Sequence, residues 1–201
     1  MLDKETCLRI IAKHRTDEVV VTTMGTAAPW GQLSNHALDF ASVGSAMGHA
    51  ADFALGIAIA QPRRKVIVLN GDGSMLMCLG TLATVTGLDN PCRNYYLFVC
   101  ENGTYEVTGN QPTPGKEHLS FAAIARASGF SNVHEFSTPD TLDAALPDIL
   151  SREGPTFVTL KIAPGVEPPP NRQPDNPVAY LRPTLAESTH ALRHALQDIA
   201  Q

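Results

Sequence analysis

Four short runs constrain this chain more than anything else in it. They are "EVVV", "KVIVLN", "NYYLFVC" and "TFVTLKI", beginning at residues 18, 65, 94 and 156. Each is apolar nearly end to end. A strand with one wet face alternates apolar and polar residues, whereas a strand covered on both faces does not. The segments between the runs carry helical spacing: about 3–15, 45–60 ("SAMGHAADFALGIAIA"), 74–88 ("SMLMCLGTLATVTGL"), 119–128 and 140–151, with a further strand at "SNVHEF". Strands alternating with helices predict a three-layer α/β/α fold around a mainly parallel sheet. The stretch from Gly25 to about Val43 bears glycine and proline and reads as a loop. Residues 101–116 read as a long polar loop.

The chain has 201 residues, enough for one well-cored domain, placed here at 1–162. From 163 a proline-rich arm cannot continue a sheet and leads to a last helix, about 183–200. That arm suits a surface strap or a grip on a partner chain. The net charge of −5, with no basic stripe, argues against nucleic acid. Arg63-Arg64-Lys65 reads as a solvated turn. No apolar stretch is long enough for a membrane span, and "MLDKETCLRII" is no signal peptide. Cys7, Cys78, Cys92 and Cys100 form no CxxC pair. All four read as reduced thiols of a cytoplasmic protein, not as zinc ligands.

The second run ends on Gly71-Asp72-Gly73-Ser74. Glycines let the backbone bend and come close to a ligand. The amides of Gly73 and Ser74, at the start of the next helix, suit a phosphate. A carboxylate aimed at that phosphate would repel it unless a hard cation lay between them, and magnesium bridges the two. An aspartate in such a turn is also a common helix cap. Thirty residues on, at the end of the next strand, stands "ENGTYEVTG". Asn102 offers a side-chain oxygen there, and Gly103 allows a turn that presents the Thr104 carbonyl.

"GDGS" followed by "NGTY" at this spacing resembles the diphosphate-binding motif of thiamine diphosphate enzymes. The likeness extends from about Val20 to Ile162. It implies that Asp72, Asn102 and the Thr104 backbone bind magnesium, and that Gly71, Gly73 and Ser74 meet the diphosphate. Gly44, Ser45 and Met47 match the stretch that receives the aminopyrimidine, with Met47 as the apolar prop. Gly25, Thr26 and Tyr105 complete the expected cofactor-binding set. Enzymes of this kind pair such a domain with a pyrimidine-binding one that carries an activating glutamate. This chain has only the first. The resemblance therefore implies a pyrimidine-binding α subunit, most simply in an α2β2 assembly. Glu101 and Glu106 flank the magnesium loop and cannot replace the missing acid.

"GSAMGHA" and "TGNQPTP" resemble the sulfopyruvate and phosphonopyruvate decarboxylase group. This implies decarboxylation of a small anionic 2-oxo acid, with residues 109–112 in a substrate-facing loop. Two acids depart from that pattern: Glu101 stands where asparagine is common, and Glu106 where a small residue is. "GSAMGHA" is also one residue longer than the commonest form. Two other readings stay open, a subunit of an acetolactate synthase-like carboligase and a non-catalytic regulatory subunit that binds the cofactor. His36, His49 and His118 are candidates for proton transfer, since histidine titrates near neutrality. Each is equally an ordinary surface or structural residue.

Overall fold

The structure is a computed structural model and describes residues 2–198. In chain order its elements are α1 (Lys4–His14), β1 (Val19–Thr22), α2 (Met24–Leu33), β2 (Asp39–Ala41), α3 (Ala50–Ala60), β3 (Val66–Gly71), α4 (Asp72–Met77) and α5 (Gly80–Thr86). There follow β4 (Tyr95–Glu101), β5 (Thr104–Tyr105), β6 (Gln111–Pro112), α6 (Phe121–Ala127), β7 (Asn132–Phe136), α7 (Pro139–Ser151), β8 (Thr156–Lys161) and α8 (Leu185–Asp198).

The β-branched runs pair as expected. Six strands form one parallel sheet in the order β2-β1-β3-β4-β8-β7. Successive side chains of a strand point to opposite faces. Val20, Ile67, Leu69, Tyr96 and Phe98 pack in one core with residues of α1, α2 and α7. Val19, Val21, Val68, Leu97 and Val99 pack in a second core with residues of α3, α5 and α6. This is the predicted three-layer arrangement. Truncating a core residue such as Leu146, fully buried, would cost about 2–5 kcal/mol.

Polar residues close the ends of these elements. Asp3 caps α1 by accepting the Thr6 amide at 2.8 Å. Buried Asn94 donates its side-chain amide to the carbonyls of Ala58, Gln61 and Arg64, which ties the end of α3 to the turn that follows it.

The structure differs from the sequence reading in five places. The helix expected over 45–60 begins only at Ala50, because Gly48 has a φ of +84°, which an α-helix does not admit, and residues 44–49 form a turn. Residues 24–33 are a helix, not a loop. Pro29 sits inside it, and fully buried Trp30 anchors it to the core, so tertiary packing overrides a poor local propensity. Inside the same predicted loop lies the three-residue strand β2. Asp39, at its start, accepts from Ser34 Oγ and the His36 amide. The segment 74–88 is two helices, broken at Cys78 and Leu79, because Met75 is buried against the sheet while α5 packs on α3. The loop 101–116 contains the antiparallel β5–β6 hairpin.

The arm after β8 lies on its own domain. Val178 and Leu181 are buried with Ala27, Ala41 and Val43. Tyr180 donates its hydroxyl to the Ala27 carbonyl at 2.6 Å. Arg172 spreads its guanidinium over the carbonyls of Ala41, Val43, Tyr180 and Pro183 and over Ser188 Oγ. The last helix runs to Asp198, and the remainder of its predicted span lies outside the described residues. No helix among the described residues is long and apolar enough to cross a membrane.

Candidate functional site

Chain order reverses between β1 and β3, since β2 lies to one side of β1 and β3 to the other. In open parallel sheets a crevice forms at such a point, beyond the carboxyl ends of the strands. A cavity of about 340 Å³ lies there. Gly25, Thr26, Gly44, Ser45, Met47, Gly71, Asp72, Gly73, Ser74, Asn102, Thr104 and Tyr105 all line it. The two motif loops, apart in sequence, thus share one wall.

Asp72 joins them. Its carboxylate is 2 % exposed and accepts the Gly73 amide at 2.8 Å and the Gly103 amide at 2.7 Å. Burial pushes its carboxyl up to about 6, against the pull of those two amides. Gly103 can turn its amide this way because its φ is +71°, in the left-handed region. Tyr105 lies over Gly73 so closely that a Cβ there would meet the ring at 2.6 Å.

The donors fit a hard divalent cation. Asp72 is a buried carboxylate with no ion pair among the described residues, and its two accepted amides leave lone pairs free. Asn102 has a fixed amide. Its Nδ2 donates to Glu106 Oε2 at 3.0 Å, and its Oδ1 accepts the Thr104 amide at 2.9 Å. An oxygen-rich set of one carboxylate and one amide suits magnesium and is unsuited to a soft metal.

Both departing acids meet cations. Glu106 lines the cavity and pairs with Lys4 Nζ at 2.8 Å. Lys4 also reaches Glu167 at 3.6 Å. Glu101 pairs with Lys161 at 2.6 Å. Each of the two departing carboxylates thus has a lysine partner.

The histidines fare differently. His36 is exposed just before β2, at the amino edge of the sheet, and its ring accepts the Leu38 amide. The cavity is at the other edge, and His36 does not line it. His118 is exposed in the turn before α6 and lies outside the cavity lining. His49 precedes α3, next to the cavity wall but outside its lining, and its Nδ1 lies 2.6 Å from Asp52. Residues 109–112 also lie outside the lining, whereas Val107 and Thr108 are part of it. Asn110 is tied down by Thr104 Oγ1 and by the Gly165 carbonyl.

Sequence reading missed Thr23, Ser42, Lys4 and Met77 in the wall. Thr23 and Ser42 directly follow strands, so placing β2 correctly would have found Ser42 by the rule that located Asp72. Lys4 comes from the far end of the chain and has no local signal.

Residues 22–160 match the family described as "Thiamine pyrophosphate enzyme, C-terminal TPP binding domain". The chain is 40 % identical over 158 residues to phosphonopyruvate decarboxylase of Streptomyces viridochromogenes, covering 78 % of this chain and 38 % of that protein. It is 32 % identical over 166 residues to sulfopyruvate decarboxylase subunit beta of Methanothermobacter thermautotrophicus, covering 82 % of this chain and 84 % of that subunit. The fold is similar to benzoylformate decarboxylase from Polynucleobacter necessarius, with a TM-score of 0.65 at 19 % identity over 83 % of this chain and 34 % of that one. The motif residues share one wall and the family match spans most of the sequence, so the chain belongs to the family of C-terminal TPP-binding domains of thiamine pyrophosphate enzymes.

Proposed function

We propose that the chain is the diphosphate-binding, β-type subunit of a thiamine diphosphate- and magnesium-dependent decarboxylase of a small anionic 2-oxo acid. The observation that carries this reading is the buried Asp72 carboxylate, which links the two motif loops in the cavity wall. The likeness to a separate beta subunit over most of that subunit's length supports a split enzyme.

Asp72, Asn102 and the Thr104 carbonyl would hold magnesium, and Gly71, Gly73 and Ser74 would meet the diphosphate. Gly25, Thr26, Gly44 and Ser45 would form the wall for the aminopyrimidine, with Met47 as its prop. Thiamine diphosphate, when bound, supplies an electron sink for the pair released as the substrate carboxylate leaves as carbon dioxide. The chain's own contribution is orientation and exclusion of water. Asp72 and Glu106 are the acids lining the cavity, and both are committed to its magnesium end. The acid that activates the pyrimidine then comes from a partner subunit in an α2β2 assembly.

The test is an assay of carbon dioxide release with magnesium, cofactor and pyruvate, sulfopyruvate or phosphonopyruvate, first with this chain alone and then with a pyrimidine-binding partner. Turnover is expected only in the mixture, with an aldehyde as product. Full turnover by the lone chain would place the activating acid within these residues and sink the split site. A new carbon–carbon bond in the product would favour the carboligase reading. Cofactor binding without turnover would favour the regulatory one.

A further inference from the structure

Beside the cavity, outside every residue given to the cofactor or to magnesium, three metal-ligating side chains converge. His49 stands at the entrance to α3, Asp52 in its first turn, and Cys78 at the break between α4 and α5. Cys78 Sγ lies 3.5 Å from His49 Nε2 and 3.6 Å from Nδ1. Asp52 Oδ2 lies 2.6 Å from His49 Nδ1, and one ligand atom from each residue falls within 4.8 Å of the others. We propose that His49, Asp52 and Cys78 form a binding site for a borderline divalent cation of the zinc class, with solvent in the fourth position.

The chemistry selects that class. A thiolate, an imidazole and a carboxylate suit zinc and cobalt(II) and disfavour magnesium or calcium. Tetrahedral bonds to nitrogen, oxygen and sulfur space the ligand atoms roughly 3.4–3.7 Å apart. The sulfur–nitrogen separation already falls in that range. The cation takes the place of the proton between His49 Nδ1 and Asp52 Oδ2, and that pair opens by about 1 Å to admit it. Thr81 Oγ1 donates to the other oxygen of Asp52 and fixes the carboxylate from behind. His49 is exposed while Asp52 and Cys78 are partly so, which gives a cation a path in. The remaining cysteines are buried, so Cys78 is the accessible thiol among the described residues.

The site departs from the reading of all four cysteines as ordinary thiols. The two soft ligands lie 29 residues apart and share no motif. Only the packing of the 44–49 turn on the helix break unites them. Gly48 permits it: its φ is +84°, and a Cβ there would meet Met77 Cβ at 2.7 Å and Cys78 Sγ at 3.3 Å. A bound cation would clamp the turn that carries Met47 to the segment that carries Met77, two residues of the cavity wall.

The experiment is titration of the full chain, reduced and free of magnesium and thiamine diphosphate, with cobalt(II). One equivalent is expected to produce a thiolate-to-cobalt charge-transfer band that zinc abolishes by competition. A cobalt ion at Asp72 would have oxygen ligands and give no such band. Cys78→Ser is expected to lose the band, and His49→Gln and Asp52→Asn to weaken binding at least about 10-fold each. Thr81→Val, which leaves every ligand in place, is expected to weaken it less. Circular dichroism verifies that each variant is folded. Absence of the band in the native chain, its survival in Cys78→Ser, or unchanged affinity in both His49→Gln and Asp52→Asn would each overturn the site.

Discussion

The two ends of the cavity are built on opposite principles. At one end Asp72 is buried and held by two amides, Asn102 is fixed on both sides, and Glu106 meets Lys4. At the other end Met47 is 60 % exposed and Met77 46 % exposed. On α3, Phe53 and Ile59 are also exposed. One end is finished within this chain. The other offers large apolar side chains to whatever covers them, which is the side where the proposed partner belongs. A chain can therefore fix one wall of a cavity entirely within itself and still leave the opposite wall open.

Asp72→Ala breaks the finished end most severely. In the assembled enzyme it is expected to lower magnesium-dependent affinity for thiamine diphosphate by at least about 100-fold, measured by calorimetry. It also frees the Gly103 amide, so a stability loss of about 1–3 kcal/mol in urea accompanies it. Asp72→Asn keeps the shape but can accept only one of the two amides, because its Nδ2 faces the other N–H, so it is expected to recover at most part of the stability and none of the affinity. Equal cofactor affinity in all three proteins would remove the basis of the metal assignment.

Met47 probes the open end. Met47→Leu is expected to stay within about threefold of the native rate at saturating cofactor, and Met47→Ala to lose about 10-fold or more. Equal rates for the two variants would show that bulk at this position is irrelevant.

Lys4→Met leaves the Glu106 carboxylate without its cation. A loss of about 1–3 kcal/mol is expected in urea denaturation of the lone chain. Adding Glu106→Gln in the same chain is expected to restore most of it. No recovery in the double variant would mean that Lys4 acts through Glu167 or through packing and not through Glu106.

The smallest effect belongs to the exposed face. Ile59→Ser is expected to change the lone chain's stability by less than about 0.5 kcal/mol. The same variant is expected to weaken association with the pyrimidine-binding partner, read by analytical ultracentrifugation. Undiminished association would move the partner off this face.

The two ends also differed in how far sequence revealed them. Asp72, Asn102 and the glycines beside them follow strands, and strand ends are legible because β-branched runs are. The hairpin after β4 was not legible, because its strands are only two residues each. α2 was hidden by Gly25, Pro29 and Gly31, whose local preference is overruled by burial of Trp30. Lys4 and Cys78 depend on contacts between distant segments, and no local pattern encodes those. The place of His36 was hidden for a related reason: without β2 its position along the sheet is unknown, and with it the residue falls at the amino edge.

Arg172 reaches back 129 and 131 residues to the carbonyls of Val43 and Ala41, beside the wall formed by Gly44 and Ser45. The ribosome delivers these groups in order. At about 5–20 residues per second, the wall waits roughly 6–26 s for the guanidinium that braces it. A nascent chain that already displays Asp72 and Asn102 therefore lacks the brace on the opposite side of the crevice. Premature termination after β8 would yield a chain with Asp72 and Asn102 in place but without the Arg172 brace on the wall at Gly44 and Ser45.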